Sequence, residues 1–403
     1  MRIVIATAVY YPQINGVAVF AHNLACGLAQ RGHEVMVICP SQTGRNYTRI
    51  QDGVKVCYLK SVDVKMYPDQ IHAVPGKRRL WYRHGFRVSV FPGREVRRIL
   101  GEFRPDVVHV QVSDPIGLSV VKWARKAGVP VVTTEHNRPD VITSQLKLGV
   151  AKKPADALLS AYFVNRQSKS DFVTMPTEKA IRDLIWSREK EFPVPVAAVS
   201  NGVDLAQFRP GRASRELYRK YGLDEKAPIM LYVGRVDPEK SVGTVVEVFL
   251  KVREKVPGAQ LLIAGDGVDK ARLMKVTAGW SGVHFLGRVV APELYEVYRL
   301  GDVFVTASEV ETQGIVLIEA AASGLPLVAV NAGAVSEVCV DGVNGYLCEP
   351  GDVEEMTEGV CKILTDGKIR EQFCKKSVEI AAEHDFERTL DKFTNIYERV
   401  IRG

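Results

Sequence analysis

The hydrophobic positions in the first half of the chain alternate between short continuous runs and stretches with a helical period. Short apolar runs bounded by turn formers indicate buried strands, and apolar residues spaced three and four apart indicate helices. Strands are predicted at residues 2–8, 34–39, 106–111 and 129–134, and helices at 16–31, 116–127 and 146–160. This alternation predicts a parallel sheet covered by helices on both faces.

The same alternation resumes in the second half, with strands predicted at residues 229–233, 260–264, 284–286, 303–306, 327–330 and 345–347. Between the halves, residues 198–212 are rich in turn formers and show no period, which predicts a hinge at 201–209. Residues 385–402 form an isolated amphipathic helix. We therefore expect domains at 1–198 and 199–384, with residues 385–403 packing back on the first domain.

Length and composition agree with a globular protein of two domains, because single hydrophobic cores stop growing well below 403 residues. The N-terminus resembles a buried strand rather than a signal peptide, and no apolar run reaches the roughly 18 residues needed to span a bilayer. The seven cysteines include no C-x-x-C pair and the eight histidines no H-E-x-x-H motif. We expect reduced thiols, a cytoplasmic location, and no metal ligands.

The net charge of +7 is concentrated in residues 77–98, which contain eight Lys or Arg residues and one Glu. Four aromatic residues lie among these charges: Trp81, Tyr82, Phe86 and Phe91. Such a mixture suits an anionic membrane surface or another polyanionic partner. The alternative is a solvated basic helix face that packs on its aromatic side. We expect no nucleic-acid partner, and peripheral association with the inner face of the membrane is the hypothesis for this segment.

The segment DVFVTASEVETQGIVLIEAAASGLPLVAV, residues 302–330, carries the strongest candidate chemistry. A strand ends near Thr306 and a helix opens near Gly314, so free amide groups at the helix start would face a ligand at the carboxyl edge of the sheet. Glycine at this position lets the backbone approach an anion closely. Glu311 precedes the helix, and Glu319 lies inside an otherwise apolar helix, where a carboxylate needs a partner.

Glu-x7-Glu followed by EA-x-A-x-G-x-P-x-V resembles the signature of retaining glycosyltransferases of family GT4, which have the GT-B fold of two Rossmann-like domains facing across a cleft. The resemblance covers nearly the whole chain. Its other parts are YYPQINGVAVF, PDVVHVQ and TTEHN in the first half, NGVD at the hinge, and then GR followed by EK, AGDG, AGAVSEV and DGVNGYL.

The resemblance implies a hexosyltransferase that uses a UDP- or GDP-sugar as co-substrate, with retention by a front-face mechanism and without a metal or other cofactor. The acceptor would be a membrane lipid or a glycan. Many members have an aromatic residue at the position of Gln313. The glutamine variant found here resembles members that glycosylate lipids.

The resemblance also implies a role for each site residue. Arg235 and Lys240 would bind the donor diphosphate, and the Val316 backbone would contact its phosphate. The transferred sugar would be held by Glu311 and by the backbone of Gln313, Gly314 and Ile315, and the ribose by Glu319. His136 would contact the sugar or the reacting centre, and Gly16 would leave room for the diphosphate or the acceptor. The catalytic set would be Glu311, His136, Arg235 and Lys240. For the two cations, the alternative is a surface ion pair with Asp237 or Glu239.

Other activities remain as alternatives at this point. An NAD-dependent oxidoreductase needs G-x-G-x-x-G after a strand. Gly265 and Gly267 supply its first two glycines, but Lys270 stands in the third position. A sugar-nucleotide epimerase, a phosphorylase or a non-catalytic sugar-nucleotide binder would use similar phosphate contacts, and a transferase could act on a soluble or polysaccharide acceptor.

Overall fold

The structure is a computed structural model that describes residues 1–11, 15–64, 70–72, 82–84, 86–111, 114–136, 152–185 and 192–403. The chain divides into two compact units: unit 1 comprises Met1–Ser200 and Leu390–Gly403, and unit 2 comprises Asn201–Thr389. Each unit has its own sheet with helices packed on it. The predicted α/β class with a Rossmann-like domain in each half is confirmed.

In the described part of unit 1, the main sheet has the order β12-β11-β10-β9-β1-β2-β4-β3 and is parallel except for the β3–β4 hairpin. Two further strand pairs, β5–β8 and β6–β7, are antiparallel. The strands are β1 (Arg2–Ala6), β2 (Glu34–Pro40), β3 (Tyr47–Gln51), β4 (Val54–Leu59), β5 (Val62–Val64), β6 (Gln70–His72), β7 (Tyr82–His84), β8 (Phe86–Val88), β9 (Val107–Val110), β10 (Val131–Thr134), β11 (Phe172–Met175) and β12 (Val196–Ala198). The helices are α1 (Gly16–Gln30), α2 (Gly93–Phe103), α3 (Pro115–Ala127), α4 (Lys152–Gln167) and α5 (Glu178–Ile185).

The central strands of unit 1 are buried on both faces, as their continuous apolar sequences predict. Ile3, Val4 and Ile5 in β1 are fully buried. The predicted helix at 146–160 corresponds in part to α4, and residues 146–151 lie outside the described residues. The β3–β4 hairpin was not predicted from the sequence; it turns at Asp52 and Gly53, with φ values of 49° and 80°. Two consecutive positive φ angles suit the Asp-Gly pair of a tight hairpin turn.

Unit 2 has a fully parallel sheet of order β15-β14-β13-β16-β17-β18. Its strands are β13 (Ile229–Val233), β14 (Gln260–Ala264), β15 (Val283–Gly287), β16 (Val303–Thr306), β17 (Leu327–Val330) and β18 (Gly345–Cys348). Its helices are α6 (Arg215–Tyr221), α7 (Val242–Lys255), α8 (Lys270–Val276), α9 (Glu293–Tyr298), α10 (Ile315–Ala322), α11 (Val353–Thr365) and α12 (Gly367–Ala382), followed by α13 (Phe386–Arg402), which continues into unit 1. Within the described residues, no helix combines the length and apolar character needed to cross a bilayer.

The last helix, α13, is shared between the units, with the division after Thr389. In unit 1 its side chains Phe393 and Tyr397 are fully buried. The hydroxyl of Tyr397 lies 2.6 Å from Nδ1 of His109 in β9, which is also buried. This contact anchors the end of α13 on the sheet of unit 1.

The two chain segments that lead from one unit to the other lie side by side within unit 2. The Val203 amide donates to the His384 carbonyl at 2.8 Å, and the Phe386 amide donates to the Val203 carbonyl at 3.1 Å. Gly202 has a φ of 73°, and a Cβ there would lie 2.7 Å from Oγ1 of Thr389. The glycine of the NGVD motif is therefore required by its close packing on the start of α13.

Candidate functional site

Loops that follow adjacent strands of unit 2 meet at the carboxyl edge of its sheet. The strand order reverses between β13 and β16, since the chain first adds β14 and β15 on one side and then β16 to β18 on the other. In open α/β sheets such a reversal opens a crevice in which ligands bind. The loop after β13 carries Arg235 and Lys240, and the loop after β16 carries Glu311. Three of the predicted site residues are thus on the two loops that border this crevice.

Glycines allow the loops after β13 and β14 to pack backbone against backbone. The Val236 amide donates to the Asp266 carbonyl at 2.9 Å. A Cβ at Gly265 would lie 1.8 Å from the Gly234 carbonyl oxygen, and one at Gly267 would lie 2.3 Å from the Val236 carbonyl oxygen. Real side chains do not fit at such distances, so the AGDG motif is explained by this contact. It fixes the loop that carries the two predicted cations.

Lys240 connects the loop after β13 to the loop after β16. It ends the short 3-10 turn Pro238–Lys240, and its Nζ lies 2.7 Å from Oε1 of Glu311. The ammonium group also donates to Oγ of Ser308 at 3.3 Å and to the Val310 carbonyl at 3.1 Å. The Lys240 and Glu311 side chains are only 17% and 13% exposed. Because removing either partner would leave a sheltered charge uncompensated, the pair holds the two loops together.

Arg235 forms ion pairs within its own loop. Its guanidinium contacts the Asp237 carboxylate and lies 2.7 Å from Oε1 of Glu239. The ion pair that the sequence analysis kept as an alternative is therefore present. The Arg235 side chain is 59% exposed, and ion pairs at such positions contribute only about 0–1 kcal/mol. Its two carboxylate partners are more sheltered, with Asp237 15% and Glu239 33% exposed.

The start of α10 presents backbone amides to the crevice edge. Gly314, with a φ of 76°, occupies the position before the helix, and no described side chain caps it. The first amide bonded within the helix is that of Leu317, which donates to the Gly314 carbonyl at 2.9 Å. The amides of Ile315 and Val316 therefore point out of the helix start, where the backbone favours an anion. This matches the helix start predicted from the sequence.

Gln313 has a contact within unit 2 that explains its polar side chain. It is buried, and its Oε1 accepts a hydrogen bond from the Asn201 amide at 3.1 Å. This bond ties the loop before α10 to the first residue of unit 2. That contact explains why residue 313 is polar, whatever the acceptor substrate is.

Glu319 has the partner that its apolar helix requires. The Tyr298 hydroxyl, at the end of α9, donates to Oε2 of Glu319 at 2.5 Å. Burial raises the pKa of Glu319 to about 7, and the hydrogen bond from Tyr298 opposes that shift. The residue as a whole is partly exposed, although its carboxyl group is sheltered enough for burial to raise its pKa. The sequence analysis missed Tyr298, because a tyrosine 21 residues before its partner carries no local signal.

His136 belongs to unit 1 and follows β10. Its Nε2 donates to Oε1 of Gln111 at 2.7 Å, and its ring meets Phe20 edge to face at 5.4 Å. Burial lowers the pKa of His136 to about 4, so the imidazole is neutral at pH 7. It can exchange hydrogen bonds with a hydroxyl group but carries no positive charge.

Gly16 also belongs to unit 1 and is the first residue of α1. Asn15 caps this helix by accepting a hydrogen bond from the Ala18 amide at 2.9 Å. A Cβ at Gly16 would meet no described atom within 4 Å. Packing within the described residues therefore does not demand glycine, and the small residue leaves open space at the helix start.

Only part of the basic segment 77–98 lies within the described residues, which exclude 77–81 and 85, and side chains are described from Arg87 onward. Arg87 donates to the carbonyl oxygens of Ser41 and Ser61, so it serves the fold. Arg98 forms ion pairs with two acids of α2, one on each side along the helix. Arg94 and Arg97 are exposed, and beside them Phe91 is 92% exposed.

Two family models match consecutive parts of the chain. Residues 14–207 match Glycosyltransferase Family 4, and residues 214–379 match Glycosyl transferases group 1. Together they cover most of both units.

Three relatives are similar at 30% identity. Over 305 residues the chain resembles sulfoquinovosyl transferase SQD2 of Arabidopsis thaliana, covering 74% of this chain but only 58% of that longer protein. Over 380 residues it resembles alpha-monoglucosyldiacylglycerol synthase of Acholeplasma laidlawii, covering 92% of this chain and 89% of the relative. Over 360 residues it resembles GDP-mannose-dependent alpha-mannosyltransferase of Mycobacterium tuberculosis, covering 88% and 85%.

Solved structures share the fold at low sequence identity. Sucrose-phosphate synthase from Thermosynechococcus elongatus has a TM-score of 0.75 at 16% identity, with both chains covered completely. HepE of Anabaena in complex with UDP-glucose has a TM-score of 0.72 at 15% identity, covering 99% of this chain and all of that chain. The family matches decide against the oxidoreductase and the non-catalytic alternatives. On the two family models and the near full-length relatives, the chain belongs to glycosyltransferase family 4 and is a glycosyltransferase with the GT-B fold.

Proposed function

We propose that this glycosyltransferase moves a hexose from a UDP- or GDP-sugar to the hydroxyl group of a membrane lipid or glycolipid, with retention of the anomeric configuration. The observation that carries the proposal is the Lys240–Glu311 salt bridge at 2.7 Å, which joins two loops at the reversal point of the unit 2 sheet. A fixed ammonium group beside the open helix start at Gly314 suits a diphosphate.

Each donor group has a matching protein group in unit 2. The diphosphate would meet Lys240, Arg235 after exchange of its carboxylate partners, and the amides of Ile315 and Val316. The ribose hydroxyls would donate to the Glu319 carboxylate. The transferred sugar would be held by Glu311 and by the backbone around Gly314.

The reaction would proceed on one face of the sugar. The bond from the anomeric carbon to the phosphate oxygen breaks, its electron pair stays on the diphosphate, and the acceptor oxygen bonds to the same carbon from the same side. The proton of the acceptor hydroxyl passes to the leaving phosphate oxygen. Lys240, Arg235 and the start of α10 stabilise the charge that develops on that diphosphate. These cations would do so without a metal, and neutral His136 would orient a sugar hydroxyl.

Similar proteins support the type of donor. HepE was crystallised with UDP-glucose, and the mycobacterial relative is named as GDP-mannose-dependent. The test is incubation of the purified protein with UDP-glucose or GDP-mannose, lipid extract or oligosaccharide, and analysis of the product by mass spectrometry and NMR. An α-linked product from an α-linked donor is expected. A β-linked product would overturn retention, and transfer only to oligosaccharide would overturn the lipid acceptor.

The lipid acceptor is supported by the name of one relative and by one exposed surface. The Arabidopsis and Acholeplasma relatives are named sulfoquinovosyl transferase and monoglucosyldiacylglycerol synthase, and the latter name contains a lipid. In unit 1, Phe91 is almost fully exposed and has a φ of 55°, beside exposed Arg94 and Arg97. A bulky residue with positive φ is strained, and no buried contact here repays that strain. An aromatic side chain next to arginines suits the interface of an anionic membrane, which would place the enzyme peripherally on the inner face.

Replacing Phe91 tests this membrane contact without harming the fold. Phe91→Asn suits positive φ, so its thermal stability should equal or exceed that of the wild type, while co-sedimentation with phosphatidylglycerol vesicles should fall several-fold. The matched control is Ile50→Thr, an exposed apolar residue of unit 1 outside this segment. Equal loss of vesicle binding in both variants, or no dependence of wild-type binding on anionic lipid, would overturn the membrane contact.

A further inference from the structure

Three side chains with metal-binding atoms lie together in unit 1, and none of them is assigned to sugar transfer. His22 and Cys26 are one turn apart on α1, so they project from the same face of the helix. Asp52 lies in the β3–β4 turn. Their ligand atoms all lie within 4.8 Å of one another. The sequence analysis expected no metal ligands, because His-x3-Cys fits neither of the two spacings it considered.

We propose that His22, Cys26 and Asp52 bind a divalent transition-metal ion, best matched by Zn²⁺, which ties α1 to the β3–β4 turn. Imidazole nitrogen, thiolate and carboxylate are the three ligand types that zinc takes in proteins. A water molecule would complete the tetrahedron. Thiolate and carboxylate balance the two charges of the ion, so the complete site is neutral.

Two of the three ligand-to-ligand distances match those around a tetrahedral ion, and the third lies within 4.8 Å. Ligands at zinc distances of about 2.0–2.3 Å are separated from one another by about 3.4–3.6 Å. Sγ of Cys26 lies 3.6 Å from Nε2 of His22, and that nitrogen lies 3.5 Å from Oδ2 of Asp52. Sγ is also 3.8 Å from Nδ1 of His22, so the imidazole must turn about its Cβ–Cγ bond to direct the Nε2 lone pair at the ion. The Asp52 side chain is 66% exposed and free of tight packing, which opens a route for the ion.

The surroundings of His22 prepare it to bind through Nε2. The Tyr10 hydroxyl lies 3.1 Å from Nδ1, and the Tyr11 ring meets the imidazole edge to face at 4.5 Å. Metal-bound histidines commonly donate a hydrogen bond from the second ring nitrogen, which fixes the tautomer. Here Nδ1–H can donate to the Tyr10 oxygen and leave Nε2 for the ion. The Asp-Gly turn likewise holds Asp52 in a defined backbone conformation.

Cobalt binding to the full-length protein tests the site directly. After treatment with a chelator and a thiol-free reductant, titration with Co²⁺ should produce a near-ultraviolet thiolate-to-cobalt band at one equivalent, and Zn²⁺ should displace it. Cys26→Ala should abolish the band. Asp52→Asn, which preserves the turn because asparagine tolerates positive φ, should weaken binding at least tenfold. Cys374→Ala is the matched control, a partly buried thiol of unit 2, and should leave the band unchanged.

Failure of the metal site can be distinguished from failure of the sugar-transfer proposal, because no measurement here involves the donor or the acceptor. A band that persists in Cys26→Ala, or that disappears equally in Cys374→Ala, would assign the metal to another thiol and overturn the proposal. Absence of a thiolate band in the wild-type protein would overturn it as well.

Discussion

At the scale of single residues, the Lys240–Glu311 salt bridge places one positive charge where the proposed diphosphate leaves. Its two side chains come from loops about 70 residues apart in the chain and are largely shielded from solvent. A charge held in advance stabilises a developing anion without reorganisation at the moment of reaction. The contribution of Lys240 should therefore be larger in the transition state than in the ground state.

Lys240→Ala should lower kcat by about 10²–10³, the usual effect of removing one preorganised group from a developing anion. Steady-state kinetics with the donor that supports transfer, UDP-glucose or GDP-mannose, measure this, and KM should change much less. The matched control is Lys226→Ala, an exposed lysine of unit 2. Thermal melts of both variants check that they are folded, because Lys240→Ala leaves Glu311 without its lysine partner. Unchanged turnover of a folded Lys240→Ala protein would contradict the assignment.

With Glu319 at the ribose as proposed, donor binding should depend on pH near neutrality. Burial raises its pKa to about 7, and hydroxyl groups donate to the ionised carboxylate better than to the protonated acid. The ionised fraction therefore increases as the pH rises from 6 to 8, and the affinity increases with it. In the free protein, the same raised pKa means that ionising Glu319 costs stability as the pH rises from the unfolded value towards 7.

The dissociation constant of the donor should fall about tenfold between pH 6 and 8, as the ionised fraction of a group with a pKa near 7 grows by that factor. Calorimetry with UDP-glucose and GDP-mannose measures it, since neither donor titrates in this range. Glu319→Gln should remove the dependence, and Glu216→Gln, at an exposed position, should retain it. A pH dependence that survives in Glu319→Gln would place its origin elsewhere.

At the scale of elements, the glycine-to-backbone contact sets the path of the loop after β13. The spacing of Gly265 and Gly267 resembles part of a dinucleotide-binding motif, yet both glycines serve contact with the neighbouring loop. Each of these contacts joins positions 31 residues apart, so no local pattern reveals it. The family resemblance located the motif, and only the packing explains its residues.

Gly265→Ala should destabilise unit 2 by about 1–3 kcal/mol, as overpacking typically does, because its Cβ would clash with the Gly234 carbonyl. Donor affinity should fall too, since the displaced loop carries Arg235 and Lys240. Gly279→Ala is the control, because a Cβ there would meet nothing within 4 Å. Chemical denaturation and calorimetry measure the two effects. Equal stability of the two variants would contradict the close contact.

At the scale of the whole molecule, the sequence was informative where the signal is local and repeated. Apolar runs and helical periods predicted the six strands of the unit 2 sheet, the central strands β1, β2, β9 and β10 of unit 1, and the terminal helix. The other described strands of unit 1 were not predicted. The motif order predicted the family. Contacts between distant residues were missed: Tyr298 with Glu319, Asn201 with Gln313, and the three residues of the proposed metal site. The hairpin turn at Asp52 and Gly53 did carry a local signal, since Asp-Gly between alternating residues favours a tight turn.

A chain ending at Thr389 should lose most of the stability of unit 1. It would lack Phe393 and Tyr397, which are fully buried in that unit, and would leave His109 without the hydroxyl 2.6 Å away. Loss of two buried aromatic side chains costs several kcal/mol, about 3–5 for each. Proteolysis and thermal melts of the truncated chain measure this, with Lys392→Ala in the full chain as an exposed control on α13. Equal melting temperatures would contradict a structural role for this segment.

The division of α13 after Thr389 also has a consequence for biosynthesis. Residues 390–403 leave the ribosome only after all of unit 2, although they complete unit 1. At about 5–20 residues per second, translation of the intervening 189 residues takes roughly 10–40 s. During that interval the nascent first unit exposes the apolar surface that Phe393 and Tyr397 later cover, so chaperones would meet it while the second unit is still being made.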